Sequence, residues 1–245
     1  MRIAAATEVR RASPQAANKP MRSDPLHGLA LWRPLLLACV LALLALSPRA
    51  WDVERMAQAA QRLGPQAVQG VRALRPVLAA LAEADDATRL DAVNRFFNRR
   101  IVFGEDVQVW RVDDYWASPL ETLQQGAGDC EDYAIAKYFS LLAVGMPASQ
   151  LRLVYVRLQV GGPGGASQPH MVLAYYASAS AEPLILDNLV GEIRPASRRP
   201  DLTPVFSFNS EGLWQGNGSQ RMGDPVERLS RWREVLRKAR AEGFL

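Results

Sequence analysis

The chain has 245 residues, 49% hydrophobic and 22% charged, ordinary proportions for a globular protein with one sizeable core. Its formal charge of +4 is unevenly spread. Seven of the 29 basic groups but only two of the 25 acidic ones lie in residues 1–50, which leaves 22 basic against 23 acidic groups in residues 51–245. That near-neutral balance removes the electrostatic basis for a nucleic-acid partner, and none is expected.

The basic N-terminal stretch leads into Pro34–Leu46, 13 residues without a charge, followed by Ser47-Pro48-Arg49-Ala50. Thirteen is short for a membrane span and suits the core of a signal peptide. Residues 1–50 therefore read as an export signal, with Met21 as a second possible start; an uncleaved anchor and a buried helix are the competing readings. Residues 51–87 are rich in Ala, Gln, Arg and Leu, broken by Gly64-Pro65 and Pro76, and predict a helical extension in two or three pieces. The third division is 88–245. It starts with a helix over Thr88–Arg100, where Leu90, Val93, Phe96 and Phe97 recur at helical spacing and Asp91, Asn94, Arg95 and Asn98 take the other face.

An aromatic, partly extended stretch, 101–118, leads to Gly126 and Gly128, which break the chain. Asp129 is then a good N-cap for a helix over about 130–144, ended by Gly145-Met146-Pro147. Beyond it the period changes. Leu151–Leu158, His170–Tyr176 and Leu184–Leu189 predict strands, with Gly161–Gly165 as the turn between the first two. Pro225–Arg240 carries Leu229, Trp232, Val235 and Leu236 among six basic residues, the pattern of a surface helix with its apolar stripe on the core. Helices followed by neighbouring strands make an α+β domain.

Two cysteines and two histidines occur, and only Cys130 and His170 lie beyond residue 50. A thiol on the first turn of a helix lies where backbone N–H groups and the helix dipole favour the thiolate, and the preceding glycines let a substrate backbone approach. His170 starts one predicted strand and Asp187 ends the next, so a carboxylate can orient an imidazole in the chain order Cys, His, Asp. The plain alternatives are a structural cysteine, a loop histidine and a turn aspartate. Asp129, Glu131 and Asp132 flank the cysteine and oppose its ionisation unless they point away or a cation neutralises them. Clustered carboxylates suit Ca²⁺, whereas helix capping and the dipole explain the same residues without a metal.

Phe96-Phe97-Asn98-Arg99-Arg100-Ile101, Asp114-Tyr115-Trp116-Ala117-Ser118-Pro119-Leu120-Glu121, Gly128-Asp129-Cys130-Glu131-Asp132-Tyr133-Ala134, His170-Met171-Val172-Leu173-Ala174-Tyr175-Tyr176 and Leu184-Ile185-Leu186-Asp187-Asn188 resemble the bacterial transglutaminase-like cysteine proteinases. The resemblance spans roughly 88–243. It implies a papain/transglutaminase-like α+β fold, with the cysteine helix packed on an antiparallel sheet that carries the histidine and aspartate. It further implies Cys130 as nucleophile, His170 as general base, Asp187 as its orienter, and Ca²⁺ held by Asp129 and Glu131. The implied setting is the periplasm. The implied substrate is a large surface adhesin cut near its N-terminus to disperse biofilm, and the implied inhibitory partner is an inner-membrane cyclic di-GMP receptor. Two rivals use the same fold: a catalytically silent binding module and an acyl-transferring enzyme.

Overall fold

The computed structural model describes residues 51–162 and 164–245; the expected export segment lies outside the described residues. Asp52 accepts the N–H groups of Glu54 and Arg55 and so starts helix α1 (Val53–Leu63). Gly64, at φ 143°, turns the corner into α2 (Pro65–Ala80), where Pro65 takes a first-turn position that needs no N–H. The extension forms two pieces, within the expected two or three, because the chain breaks at Gly64-Pro65 and Pro76 does not break α2. Pro76 sits on the exposed side, where water reaches the carbonyl it leaves unbonded, while Ala67, Val71, Leu74 and Leu78 anchor the buried side. Met56, Leu74 and Leu78 belong to the same core as Tyr138 and Leu173, so these helices share one interior with the rest.

Helix α3 (Asp86–Arg100) buries Leu90, Val93 and Phe97 as its periodicity predicts. It also buries Asn94, which the pattern places outside, because the amide donates to the Gly191 carbonyl at 2.9 Å. Two short strands, β1 (Val102–Phe103) and β2 (Ala127–Gly128), pair in parallel across helices α4 (Asp106–Val109) and α5 (Pro119–Gln125). Ser118 and Glu121 close a capping box on α5, and Gly126 ends it at φ 64°. Helix α6 (Cys130–Ala143) follows directly and is buried on almost every side, as a helix at the centre of a domain must be.

The remaining chain forms β3 (Leu151–Val160), β4 (Ala166–Tyr175), β5 (Leu184–Leu186), β6 (Arg194–Pro195), β7 (Leu202–Phe208), β8 (Leu213–Gln215) and β9 (Arg221–Gly223). They make one antiparallel sheet in the order β6-β5-β4-β3-β7-β8-β9. Strand β5 stops at Leu186, short of the expected Leu189, because Asp187 turns and accepts the Leu189 N–H at 3.1 Å. Strands β7 to β9 carry no clear sequence signal. Pro204 argues against a strand, yet a bulge opposite Tyr155 and Val156 accommodates it beyond the stretch that β8 covers.

Helix α6 packs on the sheet face that presents Leu153, Met171 and Leu173. Helices α7 (Pro225–Arg228) and α8 (Ser230–Ala241) complete that layer. Trp232 lies 5.6 Å from the Phe139 ring, 5.5 Å from Tyr138 and 5.2 Å from Phe208, and its indole donates to the Asn209 carbonyl. The opposite sheet face holds a smaller cluster of Val154, Val156, Val172, Ala174 and Ile185, roofed by Ala196 and Leu202. The C-terminal turn is bound in as well: Ser118 Oγ and the Leu120 N–H donate to Glu242, and Asp52 N–H donates to the Gly243 carbonyl at 2.7 Å. The result is the expected α+β architecture. Among the described residues no helix is long and apolar enough to cross a membrane.

Candidate active site

Cys130 occupies the first position of α6 because Asp129 caps that helix, accepting the N–H groups of Glu131 at 3.1 Å and Asp132 at 3.4 Å. Gly128 is required there for a different reason from the one its sequence suggests. A Cβ on it would lie 2.5 Å from Asp132 Oδ2 and 2.8 Å from Asp132 Cβ, so the glycine makes room for a buried carboxylate rather than for substrate. The thiol packs against the main core, with the Met171 N–H beside it. Its side-chain hydrogen bond goes to Glu131 Oε2 at 2.7 Å rather than to the imidazole. Burial pushes the thiol well above its usual range, and the Glu131 charge adds to this.

Strand pairing brings His170 and Asp187 together. The register ends at Leu173↔Leu186, and Asp187, the next residue past β5, turns beside β4 within reach of His170. Nε2 of the imidazole lies 2.8 Å from Asp187 Oδ1, with both side chains almost wholly buried. Burial works against the Asp187 carboxylate, but the hydrogen bond and charge of His170, the Leu189 N–H and Arg199 overcome it and hold the group at about 2. An ionised carboxylate only accepts, so Nε2 is the nitrogen that donates to it, and Nδ1 is left for another partner. Asn98 fixes the backbone at this point by donating to the Asp187 carbonyl at 2.8 Å.

Several residues around this pair have no distinctive sequence signal. Arg199 places Nη2 2.8 Å from Asp187 Oδ2. Lys137, two turns along α6 from the cysteine, is fully buried. Burial pulls its ammonium down to about 7 against the attraction of Asp187. Asp106, more than twenty residues before Cys130, comes back to meet Asp129 and Asp132, the carboxylate oxygens of the three lying within 4.8 Å of one another. The short helix α4 and the Tyr115 N–H, which donates to Asp106 Oδ2 at 2.5 Å, hold it there.

These acids fit a hard cation. Asp129 stands in two ligand-capable groups, one with Cys130 and Glu131 and one with Asp106 and Asp132. Asp106 Oδ1 is buried without a partner, and burial together with neighbouring acids raises Asp129 far above the usual carboxylate range and Asp132 to about 8. Carboxylate oxygens are the donors Ca²⁺ takes, whereas the soft thiol is not. Asp129 and Glu131, the expected ligands, lie in the first of these groups, and Asp106 and Asp132 lie with Asp129 in the second. Asp132 is engaged elsewhere as well, through the Ala117 N–H at 2.8 Å.

Residues 71–201, more than half of the chain, match the family model of the bacterial transglutaminase-like cysteine proteinases. The chain belongs to that family. The matched region of this transglutaminase-like proteinase begins inside α2, earlier than the motifs near residue 88 suggest. Solved structures agree. LapG of Legionella pneumophila, treated with EGTA, is 39% identical and superimposes with a TM-score of 0.67 over 77% of this chain and 97% of its own. A second LapG structure is 38% identical, with a TM-score of 0.65 over 77% and 97%. Calcium-bound LapG is likewise 38% identical, with a TM-score of 0.65 over 76% and 98%. Among curated proteins, none matches the sequence.

Proposed function

We propose that the protein is a calcium-dependent cysteine endopeptidase of the periplasm that cuts a large cell-surface adhesin near its N-terminus. Release of the adhesin disperses biofilm, and an inner-membrane cyclic di-GMP receptor withholds the enzyme by binding it. Family membership supports the peptide-bond chemistry, and likeness to LapG, one structure of which is calcium-bound, supports the metal. The adhesin, the receptor and the periplasmic address rest on the motif resemblance and on the composition of residues 1–50.

The observation that carries the catalytic part is the buried His170–Asp187 bond, with Met171, the residue after His170, placing its N–H beside the Cys130 thiol. Asp187 keeps the proton on Nε2, so Nδ1 is the basic atom of the imidazole. Nδ1 takes the Cys130 proton as the sulfur bonds to the scissile carbonyl carbon. The leaving amine departs with that proton, and a thioester remains on Cys130. Water then attacks the thioester, giving up a proton through His170 and restoring the thiol and a free carboxylate. Asp129 takes the N–H groups of Glu131 and Asp132, which leaves the Cys130 N–H to stabilise the oxyanion. Calcium held by Asp129 and Glu131, with Asp106 adjoining, supplies positive charge where these carboxylates otherwise oppose a thiolate.

The test is to incubate the purified protein with an adhesin N-terminal fragment, with calcium and with chelator, and to map the products. New N- and C-termini that form only with calcium are expected. Fragments left intact, or a product carrying an added amine instead of a free carboxylate, would overturn the endopeptidase reading.

A further inference from the structure

The Asp187 carboxylate is served from two sides. Its Oδ1 receives His170 Nε2 at 2.8 Å and the Leu189 N–H at 3.1 Å, whereas its Oδ2 meets Arg199 Nη2 at 2.8 Å. Arg199 is only 4% exposed and reaches the carboxylate from the sheet face opposite α6. Its side chain borders a cavity of about 170 Å³ walled by Val154, Val172, Ile185 and Leu202. Asp201 locks the guanidinium in turn, with Nε at 3.0 Å from Oδ1 and Nη2 at 2.7 Å from Oδ2, a bidentate fork. The Asp201 carbonyl accepts the Gln159 N–H at 2.8 Å, which ties this end of the relay to β3.

From this geometry we infer that Arg199 is a positioning residue for the proteinase: it fixes the plane of the Asp187 carboxylate, and through it the tautomer and orientation of His170. The physical reason is the softness of a carboxylate torsion, which is broad and two-fold unless both oxygens are held. With Arg199 present, turning the carboxylate breaks an ion pair that burial makes costly to lose. Oδ2 makes no hydrogen bond besides this ion pair, so without Arg199 it is a buried charge left uncompensated, and the carboxylate is held through Oδ1 alone, by His170 and the Leu189 N–H. Lysine cannot replace the arrangement fully, because one ammonium cannot span the fork to Asp201 and still meet Asp187 in a fixed direction. Lys137 of α6 also faces Asp187 electrostatically. The charge near the carboxylate is therefore shared, but the paired contact to Oδ2 is Arg199's.

This inference rests on the catalytic reading of Cys130 and His170 proposed above, and its test separates the two. His170 is the only histidine in residues 51–245, so its imidazole signals in nitrogen-15 NMR of the mature protein are readily assigned. They are recorded for wild type, Arg199→Gln, Arg199→Lys and Asp201→Asn, together with kcat and KM on the adhesin fragment. Wild type shows a protected Nε2–H and an unprotonated Nδ1. Arg199→Gln loses that signature and drops kcat by about 10- to 100-fold, with KM within about 2-fold. Arg199→Lys recovers part of both, and Asp201→Asn falls between lysine and wild type. A wild-type imidazole signature in Arg199→Gln, with only a lowered melting temperature, overturns the inference. Should Arg199→Gln fail to fold, unchanged signals and kcat in both Arg199→Lys and Asp201→Asn overturn it equally. If wild type cleaves no adhesin fragment while the imidazole still responds to Arg199, the proposed function falls and the positioning role stands.

Discussion

His170 and Asp187 meet at 2.8 Å in the interior, their side chains 4% and 0% exposed, although neither forms part of the helix that carries Cys130. His170 lies in β4 and Asp187 follows the last residue of the neighbouring β5, so base and orienter are placed by the sheet and the thiol by a helix. Removing the thiol deletes one small side chain, and Cys130→Ala is expected to stay folded while cleavage disappears. His170→Ala is comparably severe. Asp187→Asn lowers kcat by up to about 10⁴-fold, because an amide can present its donor side to Nε2 and stabilise the wrong tautomer. Circular dichroism beside product mapping checks all three; full cleavage by Cys130→Ala would remove the nucleophile assignment.

Calcium is expected to bind at Asp129 and Glu131, with Asp106 contributing its unpartnered oxygen. Calorimetry should show binding to wild type, a loss in the Asp129→Asn, Glu131→Gln double variant and a weakening in Asp106→Asn. Because the ligand stabilises only the folded state, calcium at about a hundred times its dissociation constant adds about 2.7 kcal/mol of stability. A melting temperature that does not respond to calcium in wild type would exclude the site.

Glu242 gives a pH prediction of definite sign. Burial raises its carboxyl from 4.5 to about 7, against the donors Ser118 and Leu120 that favour the ionised form. Between those values the folded protein holds a proton that the unfolded chain has released, so stability falls as pH rises through the window and the loss is complete above it. The glutamine variant Glu242→Gln keeps an acceptor for the Leu120 N–H and a donor for Ser118 but does not titrate. Relative to wild type it should gain up to about 3 kcal/mol in urea unfolding between pH 4.5 and pH 8. Parallel pH profiles for the two proteins would show that Glu242 stays ionised.

Gly128→Ala should destabilise the fold by about 1–3 kcal/mol, because the new methyl group meets Asp132, which the Ala117 N–H holds in place. Asp132→Ala opens the space, so the double variant is expected to lose less than the sum of the single changes. Additive losses in a double-mutant cycle would mean that the two residues do not collide.

Residues 1–60 fused to a reporter active only in the periplasm are expected to give signal, because their positive charge precedes a 13-residue apolar core. Fractionation adds the second readout. A soluble mature protein beginning near Trp51 indicates cleavage, and sedimentation with the inner membrane indicates an anchor. Full-length protein in the cytoplasm would defeat both.

Rarity and local context decide what is legible in the sequence. Cys130 and His170 are visible as candidates because little else of their kind exists in residues 51–245, and Asp129 because a cap before a helix is a local signal. Asp187 is visible from its place at the end of an apolar run, and it also makes the turn that its neighbour Asn188 suggests. Asp106 and Arg199 are not distinctive, since each resembles many other charged residues until the fold brings it against Asp129 or Asp187. Tertiary packing also overrules local rules at Pro76, Asn94 and Pro204, where an exposed carbonyl, a distant acceptor and a bulge remove the objections. The helices are therefore easier to read than the outer strands β7 to β9, which depend on partners rather than on alternation.

The hydrogen bond from Asp52 to the Gly243 carbonyl makes the folded body nearly circular. Its order of elements is then a convention of where the polypeptide happens to be cut. A short linker from Leu245 to Asp52, with new ends opened between β3 and β4, should preserve every contact around Cys130, His170 and Asp187. Such a permutant would begin at β4 with His170 and finish at β3, so the base would be synthesised before the nucleophile.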